Sequence, residues 1–164
     1  MRQTLPRITT AHHERILRQV DRIPGTGDRL LTADAATAAT ELDEIVAFLN
    51  DTLLPHVATA EKALYPELER MFQNRHSMAP MRREHEAVRR LVASLTARTT
   101  EAKAKGLALS RTLGIRRDAF QLYAMLKIHL AEEEALLHLM DKGVTEDVAD
   151  LLAAAMDHGG TAPA

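Results

Sequence analysis

The sequence predicts an all-α protein, an up-down-up-down four-helix bundle with a short fifth helix at the C-terminal end. It is rich in alanine and leucine, with 3% aromatic residues, 7 glycines and 6 prolines among 164 residues, which favours helix over sheet. In four long stretches, apolar residues recur every three or four positions, the spacing of one helix face. Short connections between such helices are typical of a bundle. We therefore expect a single domain over 1–164, with the bundle at about 7–142 and the fifth helix at about 146–157.

Prolines and glycines mark the expected boundaries of the long helices. The first helix should end at 24–27, which reads Pro-Gly-Thr-Gly, because such residues interrupt helices. The second should extend to Met71, with a kink at Pro55 and a break at Pro66, since each proline removes a backbone hydrogen bond. The third should begin near Pro80, because proline is favourable in the first turn of a helix.

Charge and cysteine content exclude several classes of function. The formal net charge is −2 and no cysteine is present, so the chain has neither a basic excess for nucleic acid nor a thiolate for disulfides, metals or catalysis. The N-terminal residues lack the apolar stretch of a signal peptide, and no segment approaches the roughly 18 apolar residues of a membrane span. We expect a cytoplasmic protein with no nucleic-acid or membrane partner. The sequence leaves the oligomeric state and any catalytic residue unassigned.

Histidines occupy the apolar faces of the predicted helices. The inward positions are held by one histidine on each long helix and by a carboxylate one turn after the last, namely His13, His56, His85, His129 and Glu133. A lone core histidine is more often a hydrogen-bonded structural residue. Four at one level of a bundle, beside a carboxylate that is costly to bury unpaired, favour a shared metal centre. Imidazole with carboxylate suits iron, manganese, zinc or copper.

Four segments carry a resemblance to a known family. They read HHERIL, LLPHVATAEKALYP, MRREHEAVRRL and IHLAEEEALL, one in each long helix. From about His12 to Met140, the chain resembles the hemerythrin-like, HHE cation-binding family. The resemblance implies a four-helix bundle with a non-haem centre of two irons, bridged by oxo and carboxylate groups. It also implies that the protein binds or reacts with a small ligand such as dioxygen, peroxide or nitric oxide, and whether it is an enzyme stays open.

Carried over residue by residue, the resemblance implies as ligands His13, His56, His85, His129 and Glu133. In the first helix, His13 is preferred to His12 because it lies closer to the apolar stripe. The second helix departs from the family pattern, since Ala60 stands four residues after His56, where a carboxylate is usual. Glu61 follows at five residues, about 140° around an ideal helix. A local π bulge would bring Glu61 to the centre as a sixth ligand, which we favour; otherwise the site holds one metal or an asymmetric pair.

Two other positions bear on the reactivity of the centre. Met81 stands four residues before His85, where oxygen-carrying relatives have another histidine. By the resemblance, this opens a coordination position and favours a reactive or sensing iron site over oxygen carriage. Tyr65 is expected to pack in the core, with a hydrogen bond to the centre as the alternative.

The alternative to a reactive iron site is a metal-free or zinc-stabilised helical bundle that serves as an interaction or accessory module. In that case, replacing His56 or His129 with an apolar residue of similar size would leave stability unchanged or raise it. In an iron protein, the same change would remove metal and much stability.

Overall fold

The described chain is helical apart from short connections. The computed structural model describes residues 5–32 and 35–140, with side chains over 12–32 and 35–138. Its helices are α1 (Leu5–Val20), α2 (Ile23–Arg29), α3 (Ala35–Phe48), α4 (Leu54–Thr59), α5 (Tyr65–Met71), α6 (Ala79–Lys105) and α7 (Leu109–Met140), with π-helical segments at Leu49–Leu53 and Ala60–Leu64. These residues include no strand, which confirms the all-α prediction, and none of their helices could span a membrane. The fifth helix expected at about 146–157 lies outside the described residues.

Residues 35–71 form one helical run in which α and π segments alternate. Pro55 and Pro66 each stand two residues after a π segment, in the first turn of the next α segment. At that position a missing N–H is tolerated. The break expected at Pro66 is therefore wrong, because the wider π turn accommodates the proline and the helix continues to Met71.

The stretch 24–27 is helical, which corrects the prediction that it ends the first helix. It lies inside α2, with Pro24 in the first turn. Proline fits there because the first N–H groups of a helix have no partner within that helix. Gly27 is buried where α2 packs against α7. The expected terminator is thus a short helix that covers part of α7.

Where two long helices pack together, residues later in one helix contact residues earlier in the other. For α6 and α7, Arg98 meets Asp118 at 2.7 Å and His85 meets His129 at 2.9 Å. Gly106 ends α6 at φ +81°, a conformation that favours glycine at a helix end. The same ordering holds between other helices, in the pairs His13–Glu133, Asp28–Arg116, Asn50–Thr96 and Glu69–Arg82. It brings the first half of α6 beside the second half of α7.

Two apolar clusters flank the level at which the buried histidines lie. On α6, Met81 of the smaller cluster stands one turn before His85. On α7, Glu133 stands between Leu130 of the larger cluster and Leu137 of the smaller one. Polar groups enclosed between apolar layers interact more strongly because the local dielectric is low.

Asp118 is a buried carboxylate in the larger half of the bundle, and it gives a stability prediction. It accepts hydrogen bonds from Ser94 at 2.5 Å, Arg98 at 2.7 Å and Arg117 at 2.8 Å. Burial alone would raise the pKa of Asp118, but these donors lower it on balance. We expect Asp118→Asn to lower the free energy of unfolding at pH 7 by about 1–3 kcal/mol, measured in urea.

The pH dependence of Asp118 has a definite sign. A carboxylate whose pKa is lowered by folding stabilises the protein above its unfolded pKa of about 3.9, and this is lost as pH falls through the folded value. Wild type and Asp118→Asn should therefore converge in stability below about pH 4. The control is Asp51→Asn, at an exposed aspartate, and an equal loss in both variants would contradict the prediction.

Candidate metal centre

Glu133 lies at the middle of the buried polar side chains. Its carboxylate is fully buried and stands between two pairs of histidines, one from α1 and α4 and the other from α6 and α7. Two groups of candidate ligands within the described side chains share it, His13 with His56 and Glu133, and His85 with His129 and Glu133. In each group the candidate atoms lie within 4.8 Å of one another. The structure thus brings together five of the six predicted ligands, and their role as ligands stays a prediction.

Both histidines of the first pair, His13 and His56, contact the same oxygen of Glu133. Nε2 of His13 lies 3.3 Å from Oε2 of Glu133, and Nε2 of His56 lies 3.1 Å from the same atom. The two rings are nearly perpendicular, at 85°. Burial alone would raise the pKa of Glu133, but His56 and His13 lower it well below its usual value. The carboxylate is therefore an anion placed between nitrogens.

The second pair, His85 and His129, turns its inner nitrogens towards each other. The two Nε2 atoms are 2.9 Å apart, about the separation of two nitrogens held at right angles on one metal at about 2.1 Å. Burial, followed by the charge at His129, lowers the pKa of His85 to about 4. His85 is therefore neutral at pH 7, the form in which a histidine binds a metal.

Several buried polar atoms of the centre have no hydrogen-bond partner. They are both ring nitrogens of His13 and Oε1 of Glu133. A buried polar atom without a partner costs about 1–3 kcal/mol, and native structures rarely keep one without a reason. A cation between His13, His56 and Glu133 would use Nε2 of His13 and an oxygen of Glu133 as ligands. The unpartnered atoms therefore fit a metal centre better than a hydrogen-bonded core.

Carboxylates contact the outer nitrogens of the second pair, which are the Nδ1 atoms on the side of each ring away from the other histidine. Oε1 of Glu61 lies 3.0 Å from Nδ1 of His85, and Oε2 of Glu84 lies 2.8 Å from Nδ1 of His129. Arg89 donates to both oxygens of Glu61, at 3.0 and 2.6 Å. Such outer partners orient a ligating histidine and select its tautomer. Glu61, predicted as the sixth ligand, thus lies outside both groups and contacts the outer side of His85.

Tyr65 faces the centre, which sequence reasoning gave as the lesser alternative. Its hydroxyl lies 3.0 Å from Nε2 of His85, and its side chain is fully buried. Tyr65 follows His56 by nine residues, about 180° on an ideal α-helix. The π segment Ala60–Leu64 between them changes that rotation. The available signal was Pro66, since a proline inside a helical pattern marks an irregular turn.

His12 is a second residue that sequence reasoning set aside. It is buried like His13 but belongs to neither ligand group. Its Nε2 lies 3.2 Å from Nδ1 of His56, and Arg15 donates to its Nδ1 at 3.3 Å. Burial, followed by the charges at His56 and His13, lowers the pKa of His12 to about 3. His12 is therefore a neutral ring on the outer side of His56.

A buried carboxylate shared by two histidine pairs is a set of side chains that could hold metal cations. Residues 4–140 match a family model, Hemerythrin, described as the hemerythrin HHE cation binding domain. Because the match covers most of the chain, this protein belongs to the hemerythrin HHE cation-binding domain family. Comparisons with curated proteins and with solved structures find no match. The family recognised from the four sequence segments is thereby confirmed.

Proposed function

We propose that this protein holds two iron ions in the buried centre, where they bind or react with a small ligand such as dioxygen, peroxide or nitric oxide. The observation that carries the proposal is Glu133, a buried carboxylate between two histidine pairs. His13 and His56 would hold one ion, and His85 and His129 the other. Glu133 would be shared between them.

The chemistry of the donors supports iron. Four imidazole nitrogens and a carboxylate oxygen form a set that iron, zinc and copper accept, and the resemblance to hemerythrin-like proteins favours iron among them. When bound, iron supplies Lewis-acid and redox chemistry. The chain supplies the negative charge at Glu133, the neutral imidazole of His85 and exclusion of water.

The burial of the centre supports a small ligand. His85 and Glu133 are 0% exposed, His13 and His129 1%, and His56 7%. An organic substrate needs a cleft of several hundred Å³, whereas a diatomic or peroxidic molecule fits between side chains. The apolar layers on either side of the centre exclude water from the same space.

The bundle order is part of the proposal. An up-down-up-down arrangement brings the starts of the first and third long helices level with the later parts of the second and fourth. This arrangement is supported by the contacts in which later residues of one helix meet earlier residues of another. The convergence of His13, His56, His85 and His129 follows from this arrangement.

Tyr65 is the hydrogen-bond donor to the small ligand in this proposal. Burial, followed by the negative charge of Glu133, raises the pKa of the Tyr65 phenol far above its usual value, so the phenol keeps its proton. We expect Tyr65→Phe to keep its iron but to react with hydrogen peroxide about 10²-fold more slowly, because one preorganised donor is lost. Iron analysis and stopped-flow absorption measure the two effects.

Tyr123→Phe is the matched control for that experiment, because Tyr123 packs against the larger apolar cluster. It should react like wild type. An unchanged rate in Tyr65→Phe would contradict the donor role. Loss of iron from Tyr65→Phe would contradict it too, and would make the tyrosine a ligand instead.

Metal analysis with absorption spectroscopy tests the proposed function itself. After anaerobic loading and exposure to air, the protein should contain about two irons per chain and show a near-ultraviolet band that changes on addition of peroxide or nitric oxide. His129→Ala should lose iron. His76→Ala, at an exposed histidine, should behave as wild type. Full helicity without any bound metal would contradict the proposal.

A metal-free or zinc-stabilised interaction bundle is the second candidate. The polar contacts His12–His56, Tyr65–His85 and His85–His129 favour it, because they are within hydrogen-bond distance without a metal. In this case His56→Leu would leave the free energy of unfolding unchanged or raise it, with or without iron. A loss of stability confined to the iron-loaded form would exclude this candidate.

A further inference from the structure

The two histidine pairs have chemically different partners on their outer nitrogens. His85 and His129 are backed by carboxylates, those of Glu61 and Glu84. His56 is backed instead by another imidazole and, behind it, a guanidinium. If two metal ions occupy the centre as proposed above, this difference makes the two sites unequal.

The outer carboxylates prepare the second pair for a metal. A carboxylate with no proton only accepts hydrogen bonds, so Nδ1 of His85 and Nδ1 of His129 each carry the proton and donate it. The Nε2 atom of each ring then has a free electron pair, and the two Nε2 atoms face each other at 2.9 Å. A carboxylate behind a histidine also raises the basicity of the ligating nitrogen. This pair is therefore in its metal-binding tautomer.

The partners of the first pair select the opposite tautomer. A guanidinium only donates, so Arg15 requires Nδ1 of His12 to be an acceptor. A neutral His12 then carries its proton on Nε2 and donates it to Nδ1 of His56. His56 in turn carries its own proton on Nε2, the atom 3.1 Å from Glu133. Its inner nitrogen therefore has no free electron pair for a metal.

A metal can enter the first pair only after this chain of hydrogen bonds rearranges. His56 must carry its proton on Nδ1 instead of Nε2 and donate a hydrogen bond to Nε2 of His12. His12 must then carry its own proton on Nδ1, which ends the hydrogen bond that it accepts from Arg15. Arg15 is exposed and can turn into solvent, so the change is possible but unfavourable. His13 adds no outer partner to offset it, since its Nδ1 makes no hydrogen bond. Charge acts in the same direction, because the cation Arg15 lies behind this pair, whereas the two carboxylates behind the other pair outnumber the one guanidinium, Arg89, that contacts Glu61.

We infer that the site of His85, His129 and Glu133 binds metal more tightly than the site of His13, His56 and Glu133, and fills first. Glu61 and Glu84 are positioning residues for the tight site, and His12 with Arg15 holds the weak site in a form that resists metal. One carboxylate, Glu133, completes both sites.

Single-site variants separate this inference from simple repulsion between two ions. Two cations that share a carboxylate repel each other, so two unequal binding steps in wild type would not identify the sites. His13→Ala leaves only the predicted tight site complete, and His129→Ala leaves only the predicted weak site. Each full-length, metal-free variant is titrated anaerobically with Co²⁺ against a competing chelator, and circular dichroism checks its helicity. We expect one Co²⁺ per chain in both, bound at least about tenfold more tightly by His13→Ala.

Second changes within those variants test the outer partners. In His13→Ala, the further change Glu84→Gln should weaken Co²⁺ binding about 10–100-fold, since glutamine can still accept the hydrogen bond from His129 but lacks the negative charge that raises the basicity of its ligating nitrogen. In His129→Ala, the further change Arg15→Leu should strengthen binding about tenfold, because His12 is then free to accept from His56. Arg18→Leu, at another exposed arginine of α1, is the matched control and should change nothing.

The possible outcomes distinguish the inference from the proposed function. Equal affinities in the two single-site variants, or tighter binding by His129→Ala, would overturn the inference and leave the proposed function intact. A wild-type protein that binds no Co²⁺ or Fe²⁺ would overturn both. If His129→Ala does not fold, the Co²⁺ affinity of His13→Ala is compared with that of the double variant His13→Ala, Glu84→Gln. Equal affinities of these two proteins would overturn the inference.

Discussion

Replacing Glu133 with glutamine is expected to weaken iron binding at least about hundredfold and to leave almost no iron on the purified protein. Loss of an outer partner of a ligating histidine alone weakens a metal about 10–100-fold, and Glu133 is placed to contact both ions directly. Glutamine has nearly the same shape but carries no charge. The change therefore removes the anion that two buried cations require.

Elemental analysis and equilibrium dialysis with Fe²⁺ measure this effect. Glu132→Gln, at the exposed neighbour on α7, is the matched control and should keep its iron. A Glu133→Gln protein that retains two tightly bound irons would contradict the account.

Removing iron should have the second large effect, a loss of stability. A ligand that binds only the folded state stabilises it by about 4 kcal/mol at a thousandfold excess over its Kd. Two such sites would contribute about 8 kcal/mol, comparable with the whole stability of a typical domain. For a chain of this size, each kcal/mol shifts Tm by about 2–4 °C, so each site should raise Tm by about 10 °C.

Differential scanning calorimetry of the iron-loaded and chelator-stripped proteins measures this shift. The Glu133→Gln protein provides the control, because a chelator should leave its Tm unchanged. Equal transition temperatures for loaded and stripped wild type would mean that the metal contributes nothing to the folded state, as in the second candidate function.

The inner part of the centre could be predicted from sequence because each of its residues lies on the apolar face of its helix. A histidine at an apolar position of each long helix must point into the bundle. His129 and Glu133, four residues apart on α7, share a face in any regular helix. The structure places both in the buried centre.

Departures from regular helix explain what the sequence missed in the second long helix. The π segment Ala60–Leu64 changes the rotation after His56, so helical spacing misplaces every residue that follows. Glu61 is an exception: regular spacing puts it about 140° from His56, and only a π bulge was expected to turn it towards the inner ligands, yet it lies against the outer side of His85 although the π segment is present. Tyr65 was expected in the apolar core and reaches the inner nitrogen of the same ring.

The outer partners could not be predicted because they depend on contacts between different helices. Glu84 reaches His129 from α6, and His12 reaches His56 from α1. Such contacts require the relative height of two helices to within one residue, which loop lengths in a sequence do not provide. The choice between His12 and His13 illustrates this, since both are buried and only their neighbours on other helices separate their roles.

An anomalous-difference map at the iron absorption edge, from crystals of the iron-loaded protein, tests the shared carboxylate most directly. The account predicts two peaks, one bounded by His13 and His56 and the other by His85 and His129, with Glu133 in contact with both. A single peak, a peak away from Glu133, or no peak in iron-loaded crystals would contradict it.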